Sequence, residues 1–482
     1  MEELPRFVVL YSETAGKYVR HRSDPTDSTG LEITADEVWS PFAKFEFEPS
    51  TVHPAMVHIR CCYNNKYLRR HDSSAANIVA AAEQPNDELY QWGSTLFQPE
   101  QLLPVMVRLL HVQLARYVTS VRAPEDEHYY FVAALGTDPL DPAARFDAVD
   151  WESLVTLPKR LTFMGDNGLY LGLPHLEEEA ALRFVIDDDG DESIADEVVA
   201  LSDGTVRIRN VSLGAYWRRN ADAADYIWAD DDLTTPDSNS LFRAIKVNDS
   251  TIALRNLGNN MVCKRFSASK GDNYLRASEP SSAQTVTQYA KLSLTDLVTS
   301  RRIEDIKFHL DSGWVHDENL KTILNPGEPA YNESDDTRTL TLKIPYVDTK
   351  TSCTWKATNS TLDLGPFDVV VRPDVIATVD DSSAIKLVPP TAPSYEWGGT
   401  TQGDDPDEVL VYEVTLPPWT AVEVELRASL VACCVPFSYS RYDEWEDGEE
   451  EVHFMEDGMY VGTNYYKFEF TETAPQPIAN KK

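Results

Sequence analysis

The phrase "NNKYLRR" (64–70) recurs in loosened form along the first half of the chain. It returns as "AGKYVRH" (15–21), "LARYVTS" (114–120), "NGLYLGL" (167–173), "GAYWRRN" (214–220) and "NMVCKRF" (260–266). Tyr18, Tyr67 and Tyr117 stand 49 and 50 residues apart, and Tyr170, Tyr216 and Val262 stand 46 apart. The interval resets once, across "DAVDWESLVTLPKR" (147–160), which has the character of a linker with a short helical turn. Phenylalanine phrases echo behind the tyrosines, as in "AKFEFEP" (43–49), "STLFQP" (94–99), "ARFDAV" (144–149) and "NSLFRAI" (239–245). Alternating runs such as "MVHIRCCY" (56–63), "VMVRLLHV" (105–112) and "TVRIRNV" (205–211) precede the tyrosines. Period-two alternation between Asn, Gly and Asp turns is the signal of short strands.

A unit of a few short strands cannot bury its own apolar face, so it needs neighbours. Three such units around a pseudo-threefold axis close a barrel capped by hairpins and leave no exposed sheet edge. Two series of three therefore predict two β-trefoils, at 1–148 and 149–297. An open six-unit solenoid or propeller is the weaker alternative, because the spacing resets. The tyrosine of each phrase is expected in the core, with Lys or Arg snorkelling outward.

From about residue 300 the repeat stops. "RRIEDIKFHLDSGWVHD" (301–317) alternates without the phrase, and seven of the fourteen residues in "DTKTSCTWKATNST" (348–361) are Ser or Thr. Longer alternating runs follow in "DEVLVYEVTLPP" (407–418) and "TAVEVELRASLVACCVPFSYS" (420–440). The region 298–474 is therefore expected to be an elongated β-sheet module, and 475–482 a frayed tail. The predicted fold class is all-β throughout.

The balance of 43 basic against 79 acidic residues gives a net charge of −36. That disfavours a nucleic-acid partner, whose phosphates need a basic face, and simple attraction to anionic lipid. The opening "MEELPRFVVLYSE" lacks the basic and apolar regions of a signal peptide, and no run of about 18 apolar residues occurs. A cytoplasmic chain is the expectation. Its cysteines, the neighbours Cys61 and Cys62, Cys433 and Cys434, with Cys263 and Cys353, are expected as reduced thiols.

Chemistry-bearing motifs are sparse. "DDDGDES" (187–193) alternates carboxylates at Asp187, Asp189 and Asp191, but its Gly190 falls at the fourth position where a calcium loop needs the sixth. A solvated acidic hairpin is expected there, and an exposed acidic turn in "EWEDGEEEVHFMEDG" (444–458). The histidines show no metal-ligand spacing, and no nucleophile elbow, P-loop or dinucleotide fingerprint appears. Neither an enzyme nor a cofactor is expected.

The first 295 residues or so resemble amaranthin-type plant lectins, the agglutinin domain. The resemblance rests on "GLEITADEVWSPFAKFEFEPS" (30–50), "MVHIRCCYNNKYLRR" (56–70), "VRLLHVQL" (107–114), "VDWESLVTLPKRLTFMGDNGLYLGL" (149–173) and "SLFRAIKVNDSTIALRNL" (240–257). Residues from about 300 to 472 resemble the aerolysin-type pore-forming module, through "YEWGGTT" (395–401), "YEVTLPPWTAVEVE" (412–425), "VPFSYSRYD" (435–443) and "DGMYVGTNYY" (457–466). The lectin resemblance implies a head-to-tail homodimer with a galactoside or N-acetylgalactosamine site between the first trefoil of one subunit and the second of its partner. The toxin resemblance implies oligomers on a membrane, each protomer contributing an amphipathic tongue to a β-barrel, which satisfies the backbone in lipid. Glycans are the implied partner, membranes the implied target after oligomerisation, and plant defence or stress response the implied setting.

Two stretches depart from those families. The sugar-contacting loop after the second phrase carries Ser74, Ala75, Ala76 and Asn77 where the lectins place aromatic and amide groups. The candidate tongue (364–390) has a short apolar face, Phe367, Val369, Val371, Val375 and Ala377, interrupted by Pro373, which removes a ladder donor. The alternative expectation is a non-lytic scaffold or stress-related interaction protein that keeps both folds.

Overall fold

The computed structural model describes residues 4–22, 30–103, 105–124, 126, 129–174, 180–232, 235, 237–267, 272–280, 286–352, 355, 362, 364, 369–390, 394–399 and 401–478. Its contacts divide into two units, one holding residues 1–301 with 358–367 and 443–451, the other holding the remainder.

In the first unit, strands β1 (Phe7–Ser12), β2 (Lys17–His21), β3 (Leu31–Ala35) and β4 (Phe45–Pro49) form the first repeat. The second repeat is β5 (Val57–Cys61), β6 (Lys66–Arg70), β7 (Ile78–Ala82) and β8 (Leu96–Gln101), and the third is β9 (Met106–His111), β10 (Arg116–Arg122), β11 (Tyr130–Gly136) and β12 (Phe146–Asp150). The first and fourth strand of each repeat pair in the ring β1–β4–β5–β8–β9–β12 and back to β1, a closed antiparallel barrel of six strands. The middle strands form three hairpins, β2–β3, β6–β7 and β10–β11, which meet through Glu32 opposite Phe131, Gly30 opposite Val79 and Asn77 opposite Ala133. Barrel plus triangular cap is a β-trefoil. Its core stacks in threes: Leu10, Ile59 and Leu109, then Val19, Leu68 and Val118, then Leu31, Ile78 and Val132. An apolar void of about 20 Å³ remains between them.

The second trefoil repeats the plan. Its barrel strands are β13 (Arg160–Met164), β16 (Asp196–Ala200), β17 (Val206–Asn210), β20 (Phe242–Asn248), β21 (Thr251–Asn256) and β24 (Leu292–Asp296), closed through six antiparallel pairings. Its cap hairpins are β14–β15 (Tyr170–Gly172, Arg183–Ile186), β18–β19 (Ala215–Asn220, Tyr226–Asp231) and β22–β23 (Met261–Phe266, Tyr274–Glu279). Between the trefoils, Trp151–Ser153 forms a 3-10 turn with Trp151 buried.

The repeated phrase has a physical cause. In all six copies the register shifts at one place: between Tyr18 and Val19, Tyr67 and Leu68, Tyr117 and Val118, Tyr170 and Leu171, Tyr216 and Trp217, and Val262 and Cys263. A bulge turns the chain and re-aims the next side chain. The core residue is therefore the one after the tyrosine, and all six of these are buried. The tyrosines correct the expectation of a core ring: Tyr18 is buried, whereas Tyr67, Tyr117, Tyr170 and Tyr216 are half-buried at the bulge.

The second unit is built on a sheet of the long strands β25 (Val298–Phe308), β26 (Trp314–Asn332), β27 (Arg338–Ser352), β32 (Thr401–Leu416), β33 (Thr420–Trp445) and β34 (Glu450–Glu472) with the short β28 (Val370–Val371) and β31 (Tyr395–Glu396), while β29 (Ile376–Val379) and β30 (Ile385–Val388) form a separate hairpin. The 26 residues of β33 would extend about 85 Å if straight. Its alternating face serves two cores. Val422, Val424 and Leu426 meet Ile344, Tyr346 and Val414, while Val431, Cys433, Val435 and Phe437 meet Trp355, Val371 and Tyr460. Trp355 lies edge-on to Phe437 at 4.8 Å.

The hairpin tip joining β33 to β34 belongs to the first unit. The expected acidic turn there is paired: Asp447 and Glu449 accept from Arg160, and Glu451 from Lys159. Arg160 lies 4.7 Å from the buried Trp445 ring. Among the described residues Cys61, Cys62, Cys263, Cys433 and Cys434 form no disulfide, and Cys353 lies outside the described residues.

Candidate functional site

The stretch 71–77 joins β6 to β7 and is held from beneath by Arg70. The buried Arg70 guanidinium donates from Nε to the Ala75 carbonyl at 2.8 Å, from Nη2 to the Ser73 carbonyl at 3.0 Å and from Nη1 to Gln113 Oε1 at 2.7 Å. From above, Asp72 Oδ1 accepts from the Ser74 amide, the Ser74 hydroxyl and the Ala75 amide. Those bonds, led by the Ser74 hydroxyl and then His71, hold the Asp72 carboxyl well below the usual carboxylate range. Ala76 gives its carbonyl to the Ala134 amide, and Asn77 bridges Ala133, so the loop is tied into the cap of the third repeat. Ser74 and Asn77 are exposed, while Ala75 and Ala76 are half-buried. The four expected sugar-loop residues are thus together on one fixed, polar loop that has no Phe, Tyr or Trp of its own.

Rings stand on the next connection. Residues 83–95, between β7 and β8, carry Tyr90 at 91% exposure and Trp92 at 44%. The Arg69 guanidinium lies 5.0 Å from the Trp92 ring and donates to the carbonyls of Arg70 and His71 at 2.6 and 2.8 Å. Arg69 therefore spans both loops. The base of 83–95 is closed by the Thr95 amide donating to the Asn86 carbonyl at 3.1 Å and the Asn86 side chain donating to the Gly93 carbonyl at 3.3 Å. Asp87 Oδ1 accepts from the Ser50 hydroxyl at 2.6 Å and lies 3.2 Å from His58 Nε2. Sequence reasoning passed over Tyr90 and Trp92. Their available signal was two rings inside the polar, turn-rich stretch "EQPNDELYQWGS" (83–94).

The candidate tongue is dispersed through the second unit's core. Val371 is fully buried and pairs with Tyr395 and Ile303, and Val369 and Val375 are half-buried. Ala377 is buried, and its carbonyl accepts from the Tyr460 hydroxyl at 3.0 Å. Phe367 lies outside the described residues. Pro373 is buried on the approach to β29. The hairpin β29–β30 is clamped to β34 by Asn464, which accepts from the Val379 amide at 2.9 Å and donates to its carbonyl at 2.8 Å. In "DDDGDES", Asp188 accepts from the Gly190 amide and Asp191 caps the 3-10 turn Glu192–Ile194.

Residues 2–145 match the family model of the Agglutinin domain. They span the first trefoil and its cap loops. Curated protein sequences contain no match to the chain. Similar solved structures include a lamprey immune protein, at 11% identity and a TM-score of 0.29 over 77% of this chain and 87% of that one. A mosquitocidal holotoxin aligns at 12% identity and a TM-score of 0.28, over 66% of this chain and 36% of the holotoxin. The designed threefold-symmetric protein ThreeFoil aligns at 14% identity and a TM-score of 0.25, over 29% of this chain and 99% of the design.

Proposed function

We propose that the chain is a lectin, with no enzymatic activity, that binds galactoside or N-acetylgalactosamine glycans through the cap of its first trefoil and carries a membrane-acting β-module. The observation that carries this reading is the Agglutinin match over a closed trefoil whose 71–77 loop is displayed on a rigid base. Ser74 and Asn77 supply a hydroxyl and an amide to sugar hydroxyls, and the site is completed by the second trefoil of a partner subunit in a head-to-tail dimer. Sugar sites combine such groups with apolar contact. The long-strand module follows the aerolysin pattern of membrane oligomers and makes the protein an agent of defence.

A glycan array with the purified chain tests the lectin half: retention on galactosides is expected, and no retention on any glycan would sink it. Dye release from liposomes bearing a galactosyl lipid tests the membrane half. Background release there favours the second reading, a non-lytic interaction protein. The observation behind that reading is that Val371 and Ala377 are core residues, so freeing them as a tongue dismantles packing around Trp355 and Tyr460.

A further inference from the structure

We infer that Tyr90 and Trp92 form the aromatic wall of a saccharide subsite that Arg69 joins to the 71–77 loop. The inference rests on the glycan-binding reading and adds the large rings, Tyr and Trp, that 71–77 lacks.

The six repeats allow an internal comparison. In five of them the connection between the third and fourth strands includes one 3-10 turn: Pro41–Ala43, Pro142–Ala144, Glu192–Ile194, Ser238–Ser240 and Gln288–Ala290. Each turn buries at least one residue against its trefoil. The second repeat has no such turn. Its connection is thirteen residues, 83–95, against nine in 36–44, 137–145 and 187–195, ten in 232–241 and twelve in 280–291. The trefoil plan therefore does not require this loop, and the loop spends its extra length displaying two rings. Exposing a tyrosine almost completely contributes nothing to folding, since apolar area stabilises only when water is removed from it.

The loop is nonetheless fixed. Asn86 and Thr95 close its base, and Asp87 ties it to Ser50 and His58 in the neighbouring strand region. Arg69 holds one face of Trp92 and reaches the carbonyls at the start of 71–77. Preorganised rings beside fixed hydroxyl and carbonyl groups suit an amphipathic ligand at low ordering cost. A galacto-configured pyranose is such a ligand: its axial hydroxyl leaves a continuous C–H face to stack on a ring, while its hydroxyls turn toward polar neighbours. Gln91, between the two rings, is exposed, and so is Ser74 on the loop that Arg69 reaches.

The full-length chain and its Tyr90→Ala and Trp92→Ala variants are titrated with lactose and with N-acetylgalactosamine, by calorimetry and by tryptophan fluorescence. The expected result is about a tenfold loss of affinity in each variant, the loss of one stacked ring. Tyr90→Ala should melt at the temperature of the unchanged chain, because Tyr90 is 91% exposed, and so separates binding from folding. Affinity unchanged in both variants overturns the inference while leaving the lectin reading in place. So does a fall in solution mass without loss of sugar binding, which makes the rings a protein contact. No binding by the unchanged chain overturns the inference and the lectin reading together.

Discussion

Asp196 is the buried group whose replacement says most about the second trefoil. It sits at the start of a barrel strand, 1% exposed, with no cation among its hydrogen-bond partners in the described residues. Its Oδ1 accepts from Trp217 Nε1 at 3.0 Å and from Asn210 Nδ2 at 3.3 Å. Burial pushes its pKa well above the ordinary value, and the two neutral donors only partly offset that. A carboxyl with a raised folded pKa holds its proton more tightly folded than unfolded. Its stabilising effect is complete below the unfolded value, about 3.9, and is lost as pH rises toward the folded pKa. Asp196→Asn keeps an acceptor for Trp217 and Asn210 without a charge to bury. Relative to this variant, the unchanged chain should lose stability as pH rises above about 4, approaching about 1.4 kcal/mol per pH unit. At pH 7 the variant should be the more stable protein. Urea unfolding of both chains between pH 4 and 8, followed by tryptophan fluorescence, measures the difference, and other titrating groups cancel in it. A variant that is less stable at pH 7, by an amount independent of pH, would refute the reasoning and make Asp196 a fully satisfied anion. Trp217→Phe adds a control: it removes the donor that favours the charged form and should cost about 1–3 kcal/mol at neutral pH.

His111 should act with the opposite sign. Burial first, then the Arg70 charge, pushes its pKa down to about 4, so the first trefoil should lose stability as pH falls from about 6.5 toward 4. His111→Asn should flatten that arm of a melting-temperature profile. A side chain on Gly458 of β34 would collide with the Phe437 ring, so Gly458→Val should destabilise the long-strand unit by about 1–3 kcal/mol in urea unfolding. Burial pushes the thiols of Cys61 and Cys62 up to about 11 and 12, so mass spectrometry after a thiol reagent at pH 8 should find both unmodified until urea is added.

How far the molecule could be read from its residues differs from element to element. The repeat interval and the period-two runs made the two trefoils legible, because six copies of one strand pattern leave few ways to close a core. The same repetition misdirected the reading of the tyrosines. A bulge inserts one residue, and one residue is enough to exchange the faces of a strand, so alternation alone assigns the wrong side chain inward. Val19, Leu68, Val118, Leu171, Trp217 and Cys263 carry the core, and the tyrosines mark where the chain bends. Trp217 shows how far the core position can vary: the large indole shares its layer with Leu171 and Cys263, and the sum of volumes is what packing constrains. The candidate tongue was hard to judge for a related reason. Val371 and Ala377 each follow another apolar residue, Val370 and Ile376, so the stretch gives only a patchy lipid-facing pattern, and its apolar residues pack on Trp355 and Tyr460 instead. Tyr90 and Trp92 were overlooked because nothing local distinguishes displayed rings from rings that fold inward. What distinguishes them is the comparison of one connection with its five counterparts, and that comparison exists only once the repeats are superposed in space. If ligand contact rather than packing determines residues 83–95, then replacing them with the nine residues 137–145 should leave the first trefoil folded and remove only its sugar binding. Urea unfolding and lactose titration of that chimera separate the two effects, and a chimera that still binds lactose at full strength would return the rings to the surface at large.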